Sequence, residues 1–202
     1  PLCHAAFVRE TELEQKAEQN MSRKSSTLEY LVERGAVNQK GGKIFPPKWI
    51  SNTIQMEVVT GSVAYGVSTD MSDQDISGFC IPPKQIIFPH LAGEIPGFGK
   101  PKERFDQYQE HHIVDPDGKT SEDAYGEVKG VGYDVTMYSI VKYFQLVMEN
   151  NPNMVDTLFV PVNCVKYITP IGQMVRENRR IFLHKGCFFK FRHHFSSCKI
   201  SG

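Results

Sequence analysis

Two aspartates one residue apart follow a glycine–serine pair by ten residues, and this spacing is the strongest chemical signal in the chain. Gly61-Ser62 comes after a short apolar run, and Asp73-x-Asp75 comes before another. At the end of a strand, a Gly-Ser pair presents backbone N–H groups and a hydroxyl to a phosphate. Because side chains alternate along a strand, the two aspartates point to the same face. Paired carboxylates beside a phosphate cradle indicate two-metal phosphoryl or nucleotidyl transfer.

A third carboxylate on a neighbouring strand would complete such a site. Two metal ions about 3.5–4 Å apart share carboxylates, and the extra acid holds the ion on the hydroxyl side. Asp134 is the candidate, because it lies in a short β-prone run; its structural alternative is to cap the helix that follows. Asp73, Asp75 and Asp134 are therefore the predicted catalytic and metal-binding residues, for two Mg²⁺ ions or Mn²⁺ in their place.

A longer string around these residues resembles a known signature. From Gly61 to Gly78 the chain reads Gly-Ser-x-x-Tyr-Gly-x-x-Thr-x-x-Ser-Asp-x-Asp-x-x-Gly. This resembles the nucleotidyltransferases of the DNA polymerase beta superfamily, and in particular the branch of predicted nucleotidyltransferases common in bacteria and their phages. Residues 134–144 and 151–159 resemble the same branch. The resemblance implies an α/β (α+β) fold, in which a small mixed β-sheet has helices packed on one side.

The resemblance also implies a nucleotide-binding set, which is Gly61, Ser62, Tyr65, Ser72 and Lys142. Ser62 would contact the outer phosphates, and Gly61 would let the backbone come close to them. Each of the other three has an ordinary structural alternative: Tyr65 can pack, Ser72 can cap a turn, and Lys142 can be an exposed helical lysine.

The expected reaction moves a nucleoside monophosphate from an NTP to a hydroxyl acceptor, which is an RNA end, a protein or a small molecule. One alternative is a non-catalytic nucleotide-binding module of a regulatory or antitoxin-like kind. Another is a metal-dependent phosphohydrolase, although histidines usually accompany such acids and none lies between residues 58 and 89. A zinc site is a weaker alternative, since its candidate ligands fit no closed motif: His184, Cys187, His193, His194 and Cys198.

Composition narrows the class of protein. The 202 residues are 40% hydrophobic and carry no net charge, so the whole molecule does not attract nucleic acid. Residues 176–202 nevertheless contain seven Lys or Arg and one acid, which suits either a polyanionic substrate or a solvated helix face. Five cysteines without a Cys-x-x-Cys pair favour a reducing compartment. No apolar run has membrane-spanning length, so we expect a cytoplasmic protein, in a bacterium or an infected host cell, without a membrane partner.

We expect three regions along the chain. Residues 1–50 form an N-terminal extension and a helix, with Met21 as one candidate natural start. Residues 51–160 form the nucleotidyltransferase core, interrupted by a long insertion at 84–130 with one or two short helices. Residues 161–202 form a helical basic segment that becomes irregular after residue 188, and whether it is truncated stays open, as does the oligomeric state.

Within the core, periodicity predicts strands at 56–60, 74–81 and 131–135. It predicts helices at 27–34, 137–148, 151–159 and 171–182.

Overall fold

The structure is a computed structural model that describes residues 26–38, 41–68, 72–92, 104–115, 120–122, 128–130 and 132–198. The candidate start at Met21 and parts of the expected insertion lie outside these residues.

Five strands form the main sheet, and their order is β3-β6-β2-β1-β7. Their bounds are Ile54–Val59 (β1), Gln74–Cys80 (β2), Gln107–Val114 (β3), Gly132–Ser139 (β6) and Val165–Ile168 (β7). β2 runs parallel to β6, and the other neighbouring pairs are antiparallel. A separate two-stranded sheet pairs β4 (Thr120–Glu122) with β5 (Val128–Gly130). The main sheet is therefore mixed, and the protein belongs to the α+β class.

Helices connect and cover these strands. The α-helices are Thr27–Glu33 (α1), Gly61–Ala64 (α2), Lys84–Ile87 (α3), Ile140–Met148 (α4), Pro152–Phe159 (α5), Pro170–Glu177 (α6) and Lys185–Cys198 (α7). Three further 3₁₀ turns span Pro89–Ala92, Val162–Cys164 and Arg179–Phe182. Within the described residues, no helix is both long and apolar enough to span a membrane.

Side-chain caps fix where α4 and α5 begin. The Ser139 hydroxyl accepts a hydrogen bond from Lys142 N, and the Asn151 side chain accepts one from Met154 N. Pro152 then occupies the first turn of α5, where its missing N–H has no cost. The Ser139 cap therefore starts α4 directly after β6, the strand that carries Asp134, and the Asn151 cap starts α5 shortly after α4 ends.

The core lies between the sheet and these helices. Met56, Phe79 and Met137, from three neighbouring strands, are fully buried. The ring of Phe79 lies 4.6 Å from that of Tyr143 on α4, measured between centroids. Burial of large apolar side chains such as these contributes about 1.5–3 kcal/mol each, so the strands that carry the candidate acids are held in a rigid core.

Several elements differ from the sequence expectation. Part of the expected insertion, 107–114, is a strand of the main sheet, because its residues pair with β6. The third strand continues to Ser139, where helical spacing began at 137, because β2 pairs with it over its whole length. The edge strand β7 was not predicted, and residues 188–198, expected to be irregular, continue α7.

Candidate active site

Asp75 and Asp134 face each other across two parallel strands. The register of β2 and β6 pairs these two residues directly, and both line a cleft of about 370 Å³. Burial, followed by repulsion from Asp134 and Asp73, raises the pKa of Asp75. Asp75 and Asp134 are therefore neighbours at this end of the sheet, and Asp73 contacts the same strand through Gly132 N.

Asp134 is held by two donors from the edge strand β3. Its Oδ1 accepts a hydrogen bond from His112 N at 2.7 Å, and its Oδ2 lies 3.1 Å from His111 Nδ1. Burial raises the pKa of Asp134, but these hydrogen bonds and the nearby histidines outweigh burial and hold the pKa below its usual value. Asp134 therefore stays ionised, which suits a cation ligand better than a proton acceptor.

An irregularity in β3 makes these two contacts possible. The pairing of β3 with β6 shifts between Glu110 and Ile113, and His112 has a left-handed backbone with φ of 52°. His111 Nε2 lies 2.8 Å from the side-chain amide nitrogen of Gln109. Because an amide nitrogen only donates, His111 Nε2 accepts, and the proton on Nδ1 points to Asp134.

Asp73 lies at the edge of this group. Its side chain is exposed, does not line the cleft, and accepts a hydrogen bond from Gly132 N at 3.2 Å through Oδ1. A Cβ atom at Gly132 would lie 2.5 Å from that oxygen, so glycine is required for this contact. Asp73 therefore contacts β6 at Gly132, two residues before Asp134.

The glycine corner after β1, at Gly61, contacts the side chain of Asp75. Gly61 has φ of 64°, and a Cβ atom there would clash with Asp75 Oδ2. Thr60 N donates to the backbone oxygen of Asp75 at 2.8 Å, which fixes the corner against β2. Gly61 and Thr60 both line the cleft.

Helix α5 supplies the opposite wall of the cleft. Asn153, Met154 and Asp156 line it, and Tyr65 reaches across to donate a hydrogen bond to Asp156. This hydrogen bond, followed by burial and the charge of Asp156, raises the pKa of Tyr65 to about 12. The cleft therefore lies between an acidic sheet edge and a polar helix face.

Three members of the expected nucleotide-binding set do not line the cleft. Ser62 is on α2, Ser72 precedes β2, and Lys142 is in the first turn of α4, where its backbone N–H bonds Ser139. Gly61 and Tyr65 do line it.

The acids do not form a ready-made metal cluster. Among the described side chains, no three His, Cys, Asp or Glu groups converge closely enough to hold a metal ion. His184, from the zinc alternative, is engaged elsewhere: Nδ1 accepts from Gly186 N, and Nε2 lies 3.0 Å from the backbone oxygen of Met148.

Sequence reasoning missed His111 and the two neighbours Thr136 and Tyr138, which also line the cleft. His111 lies within the stretch 84–130, which the sequence predicts to be a long insertion. Residues 107–112 are mostly polar and do not alternate clearly, so they gave little signal for a strand, whereas Thr136 and Tyr138 lie on the same face as Asp134 by alternation.

A mixed sheet with two acids on adjacent parallel strands, beside a glycine corner, is consistent with the fold of a polymerase beta-like nucleotidyltransferase, the class that the family match implies. More narrowly, the chain belongs to the RNA repair pathway DNA polymerase beta family, which it matches over residues 50–199. Neither curated proteins nor solved structures give a significant match.

Proposed function

We propose that the protein transfers a nucleoside monophosphate from an NTP to a hydroxyl group at an RNA end, with Mg²⁺ as the cofactor. The pairing of Asp75 with Asp134 beside Gly61 carries this proposal. The RNA acceptor is favoured over a protein or small molecule because the family takes its description from RNA repair.

Asp75 and Asp134 fit a divalent cation, whereas Asp73, the third predicted ligand, is turned toward Gly132 N. Asp75 and Asp134 offer hard oxygen donors on one face. The pKa of Asp75 is raised first by burial and then by repulsion from Asp134 and Asp73, and a cation would relieve that repulsion. Asp73 would join them by releasing the N–H of Gly132. When bound, Mg²⁺ would supply neutralisation of the charge on the phosphates.

The protein's own part in the reaction is positioning. In the transfer, the acceptor oxygen bonds to the α-phosphorus while the bond to the bridging oxygen breaks; pyrophosphate leaves and the hydroxyl proton passes to solvent. Gly61 would allow the close approach of the triphosphate. Ser62 and Lys142 are further candidates for contacts to its outer phosphates, and Ser72 would support the turn before the acids. Asp134, fixed by His111 and His112, would orient the acceptor side.

The test is label transfer from α-labelled NTPs with Mg²⁺ to an RNA oligonucleotide ending in a 3′-hydroxyl. Asp75→Asn and Asp134→Asn should abolish transfer, while Asp106→Asn, a matched change at a partly exposed acid before β3, should retain it. The same RNA with a 3′-phosphate should receive no label.

Other outcomes identify the alternatives. NTP binding without transfer would favour the non-catalytic module, and release of free nucleotide would favour a phosphohydrolase. Label on the protein itself would make a protein side chain the acceptor.

A further inference from the structure

A second recess adjoins the acidic cleft. It has a volume of about 210 Å³ and shares four lining residues with the cleft, namely Thr60, Gly61, Tyr65 and Asp156. The rest of its lining is apolar and comes from α2 and the end of α5: Ala64, Phe159, Val160 and Pro161. One wall therefore has an acidic, polar cavity on one side and an apolar one on the other.

Tyr65 is the aromatic part of the shared wall. Its side chain is 65% exposed, so it is not a core residue, yet its hydroxyl is tied to Asp156. An aromatic ring that is exposed but fixed in position offers a flat surface for another ring. Tyr65 thus has the properties of a stacking platform rather than of a packing residue.

Positive charge lies behind the apolar side of the recess. The guanidinium of Arg179 is 5.2 Å from the ring centroid of Phe159, and Arg176 Nη2 donates to the backbone oxygen of Val160. Within the described residues, Arg176 Nη1 and Arg179 Nε are buried and have no hydrogen-bond partner. The recess is therefore apolar at its surface and cationic beneath. This combination favours the flat, apolar part of a ligand that carries negative charge elsewhere.

We propose that this recess binds the base of the nucleotide whose phosphates lie at the Gly61 corner, an inference that rests on the proposed function. A nucleotide has a polyanionic end and a flat, largely apolar end. The cleft would hold the first and the recess the second, and the two cavities meet at Gly61 and Tyr65.

The composition of the recess also predicts its selectivity. Stacking is the main contribution, so purines bind more tightly than pyrimidines because their rings are larger. Asp156 uses Oδ2 for Tyr65, and its Oδ1 can accept a hydrogen bond from an exocyclic amino group, which uracil lacks. UTP is therefore expected to bind most weakly.

Equilibrium binding of ATP and of inorganic tripolyphosphate to the whole chain with Mg²⁺ tests this inference. Ala64→Leu, which fills the recess, and Phe159→Ala, which removes a wall, should each weaken ATP binding about tenfold. The same variants should leave the Kd of tripolyphosphate unchanged within about twofold, because that ligand has no base. Phe88→Ala, at another half-exposed phenylalanine away from both cavities, should alter neither Kd.

Each outcome separates this inference from the proposed function. If the recess variants weaken both ligands equally, or neither, the recess is not the base site, whereas the transfer reaction stands on its own assay. If ATP binds through the recess but no label is transferred, the inference holds and the proposed function fails. If the wild-type protein binds neither ligand, both fail. Thermal unfolding and the milder Phe159→Leu distinguish a lost wall from a lost fold.

Discussion

At the scale of single residues, the site depends on how Asp134 is held. A carboxylate on a strand can adopt several rotamers, and only some of them face the cleft. His112 N–H and His111 Nδ1 each bond a different oxygen of Asp134, so together they fix both the position and the plane of the carboxylate. Second-layer contacts of this kind usually matter for metal affinity or activity by about 10–100-fold.

We therefore predict that His111→Ala raises the Mg²⁺ concentration needed for half-maximal transfer by about tenfold. His111→Asn should restore most of the affinity, because its amide nitrogen can donate to Asp134 from nearly the same position. A Mg²⁺ titration of transfer activity measures both, and His90→Ala, at an exposed histidine of the turn after α3, is the matched control. Equal effects of the alanine and asparagine variants would show that the Nδ1 contact is not what positions Asp134.

Asp75 predicts a pH dependence of stability. Its pKa is raised in the folded protein by burial and by repulsion from Asp134 and Asp73. A raised folded-state pKa gives stability that is present below the unfolded pKa and is lost as pH rises through the folded value. In the metal-free protein, Asp75→Asn should therefore increase the free energy of unfolding at neutral pH, and the difference should shrink toward pH about 4, near the ordinary carboxyl pKa.

Urea unfolding in EDTA at both pH values measures this difference. Adding Mg²⁺ should then stabilise the wild type more than Asp75→Asn, since the cation relieves the same repulsion. A variant that is less stable than the wild type at neutral pH without metal would contradict the prediction.

The acids could be found from the sequence, whereas His111 could not. Asp73, Asp75 and Gly61 lie within one short motif, and Asp134 follows from a β-prone run and the resemblance. The contact between His111 and Asp134 joins residues 23 apart in the chain and depends on a shift in strand pairing. No local pattern encodes such a shift, because the bulge exists only when β3 pairs with β6.

At the scale of elements, the parallel pairing of β2 with β6 brings the site together. Predicting the central strands from sequence succeeded because each contains β-prone apolar residues, although the end of β6 was placed too early. The edge strands β3 and β7 were missed because edge residues alternate less clearly between apolar and polar side chains. The sequence of residues 137–139 suits both a strand and the start of α4. These residues form a strand because they pair with β2.

The corner between β1 and α2 gives a prediction at this scale. Gly61→Ala should cost stability through its positive φ, about 1–2 kcal/mol, and should also push Asp75 out of place. We expect transfer activity to fall about 100-fold, because small displacements of positioned groups have effects of that size.

Gly35→Ala is the matched control for Gly61→Ala. Gly35 ends α1 with φ of 67°, and a Cβ atom there meets nothing within 4 Å. The Gly35→Ala variant should lose about as much free energy of unfolding in urea as Gly61→Ala, yet keep its transfer activity per folded molecule. Comparable activity in the two variants would show that the contact between Gly61 and Asp75 has no role.

At the scale of the whole molecule, the folded core extends beyond the region that matches the family. The match begins at residue 50, whereas α1 spans Thr27–Glu33 and fully buries Leu28 and Leu31. Glu57, a fully buried residue in the middle of β1, accepts hydrogen bonds from Thr27 N at 2.7 Å and Leu28 N at 3.5 Å. A side chain from the central sheet thus accepts hydrogen bonds from the first two N–H groups of α1, which have no partner within the helix.

This arrangement makes Glu57 the link between α1 and the sheet that carries the acids. Glu57→Ala should lower the free energy of unfolding by about 3 kcal/mol, since it leaves buried N–H groups unpaired and opens a cavity. Ser26→Ala removes a cap of the same helix from its own end, where Ser26 Oγ accepts from Glu29 N, and should cost only about 1 kcal/mol. Urea unfolding of both variants decides the matter: if Glu57→Ala costs no more than Ser26→Ala, α1 is held by its apolar contacts alone and the sheet does not anchor it.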